Sequence, residues 1–363
     1  MVRFSAILNI EIIFCAVTLL YNGDVIYIRE RTYRIMIEKS FRLSSGFRHS
    51  FFPNSNKLFS PQNIPIEIWD VAKRAKESKW NPGVYGIQNI TFSNRGDKFV
   101  ICGGWTNANP NKSEFKIYDT DTLDCIDEFA LMGEHCTNPK FTNDDKNFIF
   151  GTWKGDVYAY CLDKKSLTVP YSMNGHTFGL IHHGKHNGIL YMATTKIANE
   201  QSNWAERFIL AYNVSENKGS RIDFIGEVNP YEINGKAGCD LAGLAMFNCN
   251  LAILTTYYGK AERENDELIK KAKSYVYNIA TGKVALIKED YKIECMFDNY
   301  SCIVWSNNGN KLAFIGLHEV YIIDIESNNE TIIPFEGATS VEFSNCGMGL
   351  AVGGKKAKLF KIE

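Results

Sequence analysis

Eight times along its 363 residues the chain repeats one phrase: a large apolar residue, a short polar turn, an apolar strand, and later a strand ending in Asp, Asn or a similar residue. The turn is plainest from Phe92 (FSNRGDKFVICGG), Phe141 (FTNDDKNFIFGTW), Trp305 (WSNNGNKLAFIGL) and Phe343 (FSNCGMGLAVGG). Weaker copies start at Phe4, Phe52, His182 and Met246. The later strands end at Arg29, Asp70, Asp119, Cys161, Asn213, Asn278, Asp324 and Glu363, at steps of 39 to 65 residues. One such unit cannot bury its apolar faces alone, so the copies must stack on one another in an array or a ring.

Trp69-Asp70 closes one of these strands, and Gly175-His176 precedes the strand near His182. On those residues the chain resembles the WD-repeat family, across nearly its whole length but with degenerate motif residues. The resemblance implies an all-β fold: a single β-propeller of four-stranded antiparallel blades, acting as an interaction scaffold. The final unit stops at Glu363 directly after its third strand. A ring closes such a unit by borrowing an outer strand from the other end of the chain, which removes an exposed edge. The segment 33–39 (YRIMIEK) is strand-like and is expected to pair with the C-terminal blade. Seven blades, beginning near residues 46, 88, 136, 176, 239, 298 and 339, are then favoured, with eight as the alternative. Residues 1–31 form a hairpin extension or partial blade, and 32–363 the propeller.

The apolar run from Ile7 to Tyr21 is interrupted by Glu11 and leads through Asn22-Gly23 into DVIYIRE. Asn-Gly between apolar strands is a strong hairpin signal, because both residues tolerate positive φ. The run therefore reads as a hairpin, and a cytoplasmic chain is expected. A targeting segment at 1–21, leading to secretion or membrane anchoring, is the alternative. Ten cysteines form no CxxC pair, and Cys15, Cys102, Cys161 and Cys302 sit singly in apolar strand patterns. They read as buried thiols. A formal net charge of −1 gives no electrostatic footprint for nucleic acid or a membrane surface. The basic stretch from Arg29 to His49 is broken by Glu30 and Glu38 and reads as a solvated outer strand.

The repeat is interrupted in the third, fifth and sixth units, always between the second and third strands. The insertions carry Trp105, Trp204, and Tyr257 with Tyr258. In propellers of the family it resembles, these connections share one face, the face used for partners. Exposed aromatics are residue types enriched at interface anchors. The stretch 261–273 reads as a short helix, with Glu267 before Lys271 and Asp266 before Lys270 at the favourable spacing of four. Trp105, Trp204, Tyr257, Tyr258, Glu267 and Lys270 are thus the expected contacts to one or more partner proteins or peptides, on a monomeric ring.

No complete catalytic motif is present. His182, His183 and His186 fall at a turn, where successive side chains diverge, and no carboxylate or cysteine lies near in sequence to complete a metal site. They read as a polar turn, and neither metal nor cofactor is expected. Gly103-Gly104 and Gly353-Gly354 lack the following helix that a phosphate loop requires, and read as tight corners. Rings also assemble sites from distant blades at the central channel. A channel-based hydrolase or lactonase is accordingly the alternative function.

Overall fold

The computed structural model describes residues 20–21, 24–25, 33–35, 40–43, 49–61, 64–104, 112–136, 139–173, 176–183, 189–196, 206–213, 216, 218–222, 239–257, 262–264, 267–294, 302–354 and 357–362. Within them the repeat units become seven antiparallel sheets, and no helix is present. Blade one consists of Ser50–Phe51, Lys57–Ser60, Ile66–Asp70 and Ala75–Trp80. Blade two runs through Asn89–Phe92, Lys98–Gly103, Lys112–Asp119 and Cys125–Met132. Blade three has Lys140–Phe141, Asn147–Gly151, Asp156–Cys161 and Ser166–Ser172. Blade four has His176–His183, Ile189–Lys196, Glu206–Asn213 and Lys218–Ile222. Cys239–Phe247, Asn250–Tyr257, Glu267–Asn278 and Lys283–Glu294 make blade five. Blade six has Ile303–Trp305, Lys311–Ile315, Glu319–Asp324 and Glu330–Pro334. Blade seven begins with Ala338–Phe343, Gly349–Gly354 and Ala357–Lys361. Leu20–Tyr21 and Asp24–Val25 pair antiparallel as a separate two-stranded sheet.

The core lies between blades. Phe99 and Ile101 pack toward blade one, while the alternate residues Val100 and Cys102 pack toward blade three. Successive strand residues face opposite sides, so a strand covered on both faces must be apolar without a break. That is why FVIC, FIFG, LAFI and LAVG are continuous apolar runs. Seven apolar clusters fill the seven gaps between neighbouring blades. The last joins Phe51 and Leu58 of blade one to Ala351, Ala357 and Leu359 of blade seven, closing the ring.

Blade seven takes its outer strand from the N-terminal part of the chain: Ser40–Leu43 pairs antiparallel with Ala357–Phe360. The segment 33–39, expected in that place, contributes Tyr33–Ile35 elsewhere. This strand lies parallel to Glu330–Ile332 as a fifth strand of blade six. Chain reach explains the difference, because the outer strand of one blade feeds the inner strand of the next. Ser40–Leu43 lies only a short connection before blade one at Ser50.

The helix expected over 261–273 is a strand pair. Glu262–Glu264 turns back onto Glu267–Ile269, the start of the long third strand of blade five. Ile269 to Ala272 also pair with Glu294 to Tyr291. A ladder on both sides outweighs the few tenths of a kilocalorie, about 0.2–0.5 kcal/mol per pair, that helical charge spacing supplies.

The repeated phrase is a turn with fixed parts. The hydroxyl following the large apolar residue accepts a backbone N–H five residues on: Lys98 to Ser93 (3.1 Å), Asn147 to Thr142 (3.1 Å), Lys311 to Ser306 (2.9 Å) and Gly349 to Ser344 (2.8 Å). Gly96, Gly309 and Gly347 adopt φ of +74°, +73° and +70° at one position of the turn, which explains the glycine there. The next residue of the phrase, Asn, reaches across to the following blade. Asn54 Nδ2 donates to Arg95 O (3.1 Å), Asn94 to Thr142 O (2.8 Å) and Asn307 to Asn345 O (2.9 Å), while Asn345 donates to Phe52 O.

The Asp and Asn endings of the third strands are turn formers as well. Asp70, Asp119 and Asp324 each accept the backbone N–H three residues on, at 2.9, 2.9 and 2.8 Å. The residue four places after the ending adopts positive φ: Arg74 (54°), Leu123 (61°), Lys165 (48°), Gly282 (69°) and Asn328 (57°). Arg74 is exposed, and a side chain in this conformation costs about 1–2 kcal/mol. Against the entropy that glycine adds to the unfolded chain, Arg74→Gly is expected to stabilise by roughly 0.5 kcal/mol. A thermal melt checks this, and a lower midpoint would contradict it.

Candidate functional site

Connections between second and third strands, and connections between blades, share one face of the disk. Trp153 N, in the turn after Asn147–Gly151, donates to His135 O (3.0 Å) in the connection entering blade three. Gly104 N likewise donates to Tyr85 O (2.6 Å) in the connection entering blade two. Gly104 sits at φ +97°, and an added Cβ would lie 2.9 Å from Glu114 N and from Lys112 O. Gly103-Gly104 is therefore a tight corner.

This face carries exposed anchors in the described residues. Tyr85 is 70% exposed, Met132 68% and Trp153 47%. The Trp153 ring stacks on His135 with centroids 3.9 Å apart, and Gln88 Nε2 lies 3.3 Å from His135 Nε2. Lys154 pairs with Glu134 at 2.8 Å beside them. The entries to blades two and three are thus linked into one continuous patch. Sequence reasoning missed Tyr85 and Trp153 because they lie in short connections that interrupt nothing, and Met132 because it ends a regular outer strand.

The three long insertions fall between the second and third strands of blades two, four and five. Trp105, Trp204 and Tyr258 lie outside the described residues. Tyr257 ends the second strand of blade five, and Glu267 and Lys270 lie in its third strand, on either side of the Glu262–Glu264 hairpin. His182 and His183 end the innermost strand of blade four, while His186 is outside the described residues. Among the described residues, no three His, Cys, Asp or Glu side chains are grouped to hold a metal ion, and no helix is long and apolar enough to cross a membrane.

The first strands of neighbouring blades approach one another around the axis. There a cavity of about 300 Å³ opens between blades seven, one, two and three. Its wall includes His49, Ser50, Thr91, Lys140, Ser340 and Glu342. Thr91, Lys140 and Glu342 occupy one position of the repeat, immediately before Phe92, Phe141 and Phe343. The wall is tied from blade to blade: Ser50 Oγ donates to Ile90 O (3.2 Å), Thr91 Oγ1 to Pro139 O (2.9 Å), and Phe51 N to Glu342 Oε1 (3.4 Å).

Three ionisable groups face this space. Burial pushes the Glu342 carboxyl up to about 7, against the pull of the Phe51 N–H and of Lys140. It holds the Lys140 ammonium below the ordinary lysine range, with Glu342 opposing. Lys140 and Glu342 attract each other at a distance, with no ion pair between them among the described residues. His49 is 3% exposed, and burial lowers it to about 4, so its ring is neutral. The Phe59 backbone opposes that shift, yet neither ring nitrogen makes a hydrogen bond of ordinary geometry.

The seven sheets and their closed ring define the class: a seven-bladed β-propeller. Comparison with protein-family models gives no match, and comparison with curated proteins gives none. Among solved structures, the β-propeller domain of Myceliophteria thermophila Cps50 (Swd1) is similar, with a TM-score of 0.59 at 12% identity over 89% of this chain and 100% of that one. Kuenenia stuttgartiensis hydrazine synthase is similar too, with a TM-score of 0.63 at 11% identity over 87% of this chain and 95% of that one. At these identities the likeness is one of fold.

Proposed function

We propose that this propeller is a WD-repeat-like scaffold that captures a partner protein or peptide on the face holding the between-blade connections and the three insertions. The observation that carries the reading is the patch of Tyr85 and Trp153, exposed on connections tied to the blades by backbone hydrogen bonds, with Met132 exposed at the end of an outer strand. Tryptophan and tyrosine dominate binding hot spots, methionine is enriched in interfaces, and a prefixed surface loses little entropy on binding. Trp105, Trp204, Tyr257, Tyr258, Glu267 and Lys270 extend this patch in the proposal.

The test is capture from cell extract by the tagged full-length chain, followed by affinity measurement with the partner identified. Trp153→Ala is expected to weaken that affinity roughly tenfold or more, with the thermal melt nearly unchanged. Undiminished capture by a triple Tyr85→Ala, Met132→Ala, Trp153→Ala variant would sink the reading. Trp204→Ala and Tyr258→Ala are expected to act in the same direction, by smaller factors.

The channel-based enzyme gains one observation, the grouping of His49, Lys140 and Glu342 in the central cavity. No lining hydroxyl is hydrogen-bonded to His49, so the described geometry supports binding ahead of nucleophilic attack.

A further inference from the structure

Opposite charges face the central cavity without touching. Lys140 stands on the inner strand of blade three and Glu342 on that of blade seven, both set into the cavity wall and neither in an ion pair among the described residues. Both side chains are half-buried, and charges partly withdrawn from water are stabilised by an opposite charge. A simple anion would satisfy Lys140 alone, and a simple cation Glu342 alone. A molecule carrying both signs satisfies both ends at once.

The rest of the wall restricts the ligand further. Ser50, Asn89, Thr91 and Ser340 line it with hydroxyl and amide groups, and His49 brings a buried neutral ring whose nitrogens make no hydrogen bond of ordinary geometry. A buried polar group without a well-formed hydrogen bond is costly, and a ligand's own polar group would relieve that cost. A volume of about 300 Å³ lies at the small end of ligand pockets. We propose that the cavity binds a small zwitterion, an α-amino acid with an uncharged polar side chain, its carboxylate on the Lys140 ammonium and its ammonium on the Glu342 carboxylate. The proposal does not rest on the partner-binding reading.

The expected pH dependence follows from the groups that face the ligand, which are Glu342, Lys140 and neutral His49. Glu342 must be ionised to hold an ammonium, so affinity rises as pH climbs through about 7. It falls again in alkali as Lys140 loses its proton. A ligand bearing only a carboxylate shows the opposite acid limb, because protonating Glu342 removes a repulsion.

Calorimetric titration of the full chain with L-serine, L-threonine, L-asparagine and L-glutamine tests this. Each is run beside its deaminated carboxylate and its decarboxylated amine. At least one amino acid is expected to bind, with a bell-shaped pH profile, and its two half-ligands at least tenfold more weakly. Lys140→Met and Glu342→Gln are each expected to abolish binding. The amide introduced by Glu342→Gln retains an oxygen for the Phe51 N–H, so the melt of that variant stays near wild type. Absence of binding by all four amino acids overturns the proposal. So does a half-ligand that binds as well as its parent, or binding that survives both substitutions.

Discussion

Glu330→Ala is expected to lower the unfolding free energy by about 3–5 kcal/mol, among the largest losses available to one substitution in this ring. Glu330 starts the outer strand of blade six, and its side chain is 0% exposed. Its Oε1 lies 2.6 Å from Lys288 Nζ on the outer strand of blade five, where the lysine is only 15% exposed. The ammonium also sits 4.3 Å from the centre of the Tyr321 ring. Truncating the glutamate leaves a half-buried cation against that ring, and a cation–π contact contributes only about 0.5–2 kcal/mol. Replacing both partners by apolar residues, Lys288→Met with Glu330→Leu, removes the desolvated charges and is expected to restore most of the loss. Denaturant unfolding of the three chains decides it. A single-variant loss under about 1 kcal/mol would show that the pair behaves as a surface ion pair.

The pair also marks where sequence reading stops. The phrase around Phe92, Phe141, Trp305 and Phe343 was legible because it is a local object: the turn hydroxyl, the positive-φ residue and the Asn to the next blade lie within a few residues. The unbroken apolar second strands were legible for the same reason. Lys288 and Glu330 are separated by 42 positions on different blades, with no local pattern to join them. The channel site failed in a more instructive way. Thr91, Lys140 and Glu342 stand at one register of the repeat, immediately before its large apolar residue. Aligning the copies on that residue brings a hydroxyl, an ammonium and a carboxyl to equivalent places, and knowing that the first strand surrounds the axis turns equivalence into proximity. His49 lies in blade one, whose copy of the phrase is weak, and has no such signal. The stretch 261–273 misled because acids and lysines spaced four apart occur in strands as well as in helices. Its ladder partner, Tyr291 to Glu294, lies some twenty residues on.

Closure of the ring gives the second large effect. A chain shortened to begin at Ser40 is expected to melt close to wild type, and one beginning at Ser44 far below it. The first loses Tyr33–Ile35, a three-residue parallel strand on the outside of a blade already four strands wide. The second also loses Ser40–Leu43, which pairs with Ala357, Lys358, Leu359 and Phe360. Each ladder hydrogen bond contributes roughly 1 kcal/mol net, so the loss amounts to several such units before packing is counted. Leu359 and Phe360, now 4% and 6% exposed, lose the strand beside them. Ala357–Lys361 becomes an open edge, so the shorter chain is expected to self-associate as its concentration rises. Were the clasp instead the 33–39 segment, removing residues 1–39 would already open the ring, and the two shortened chains would melt alike. Melting and sedimentation of the pair separate the two arrangements. Equal melts overturn the assignment, because only a clasp confined to 40–43 makes four residues decide between a closed ring and an open one.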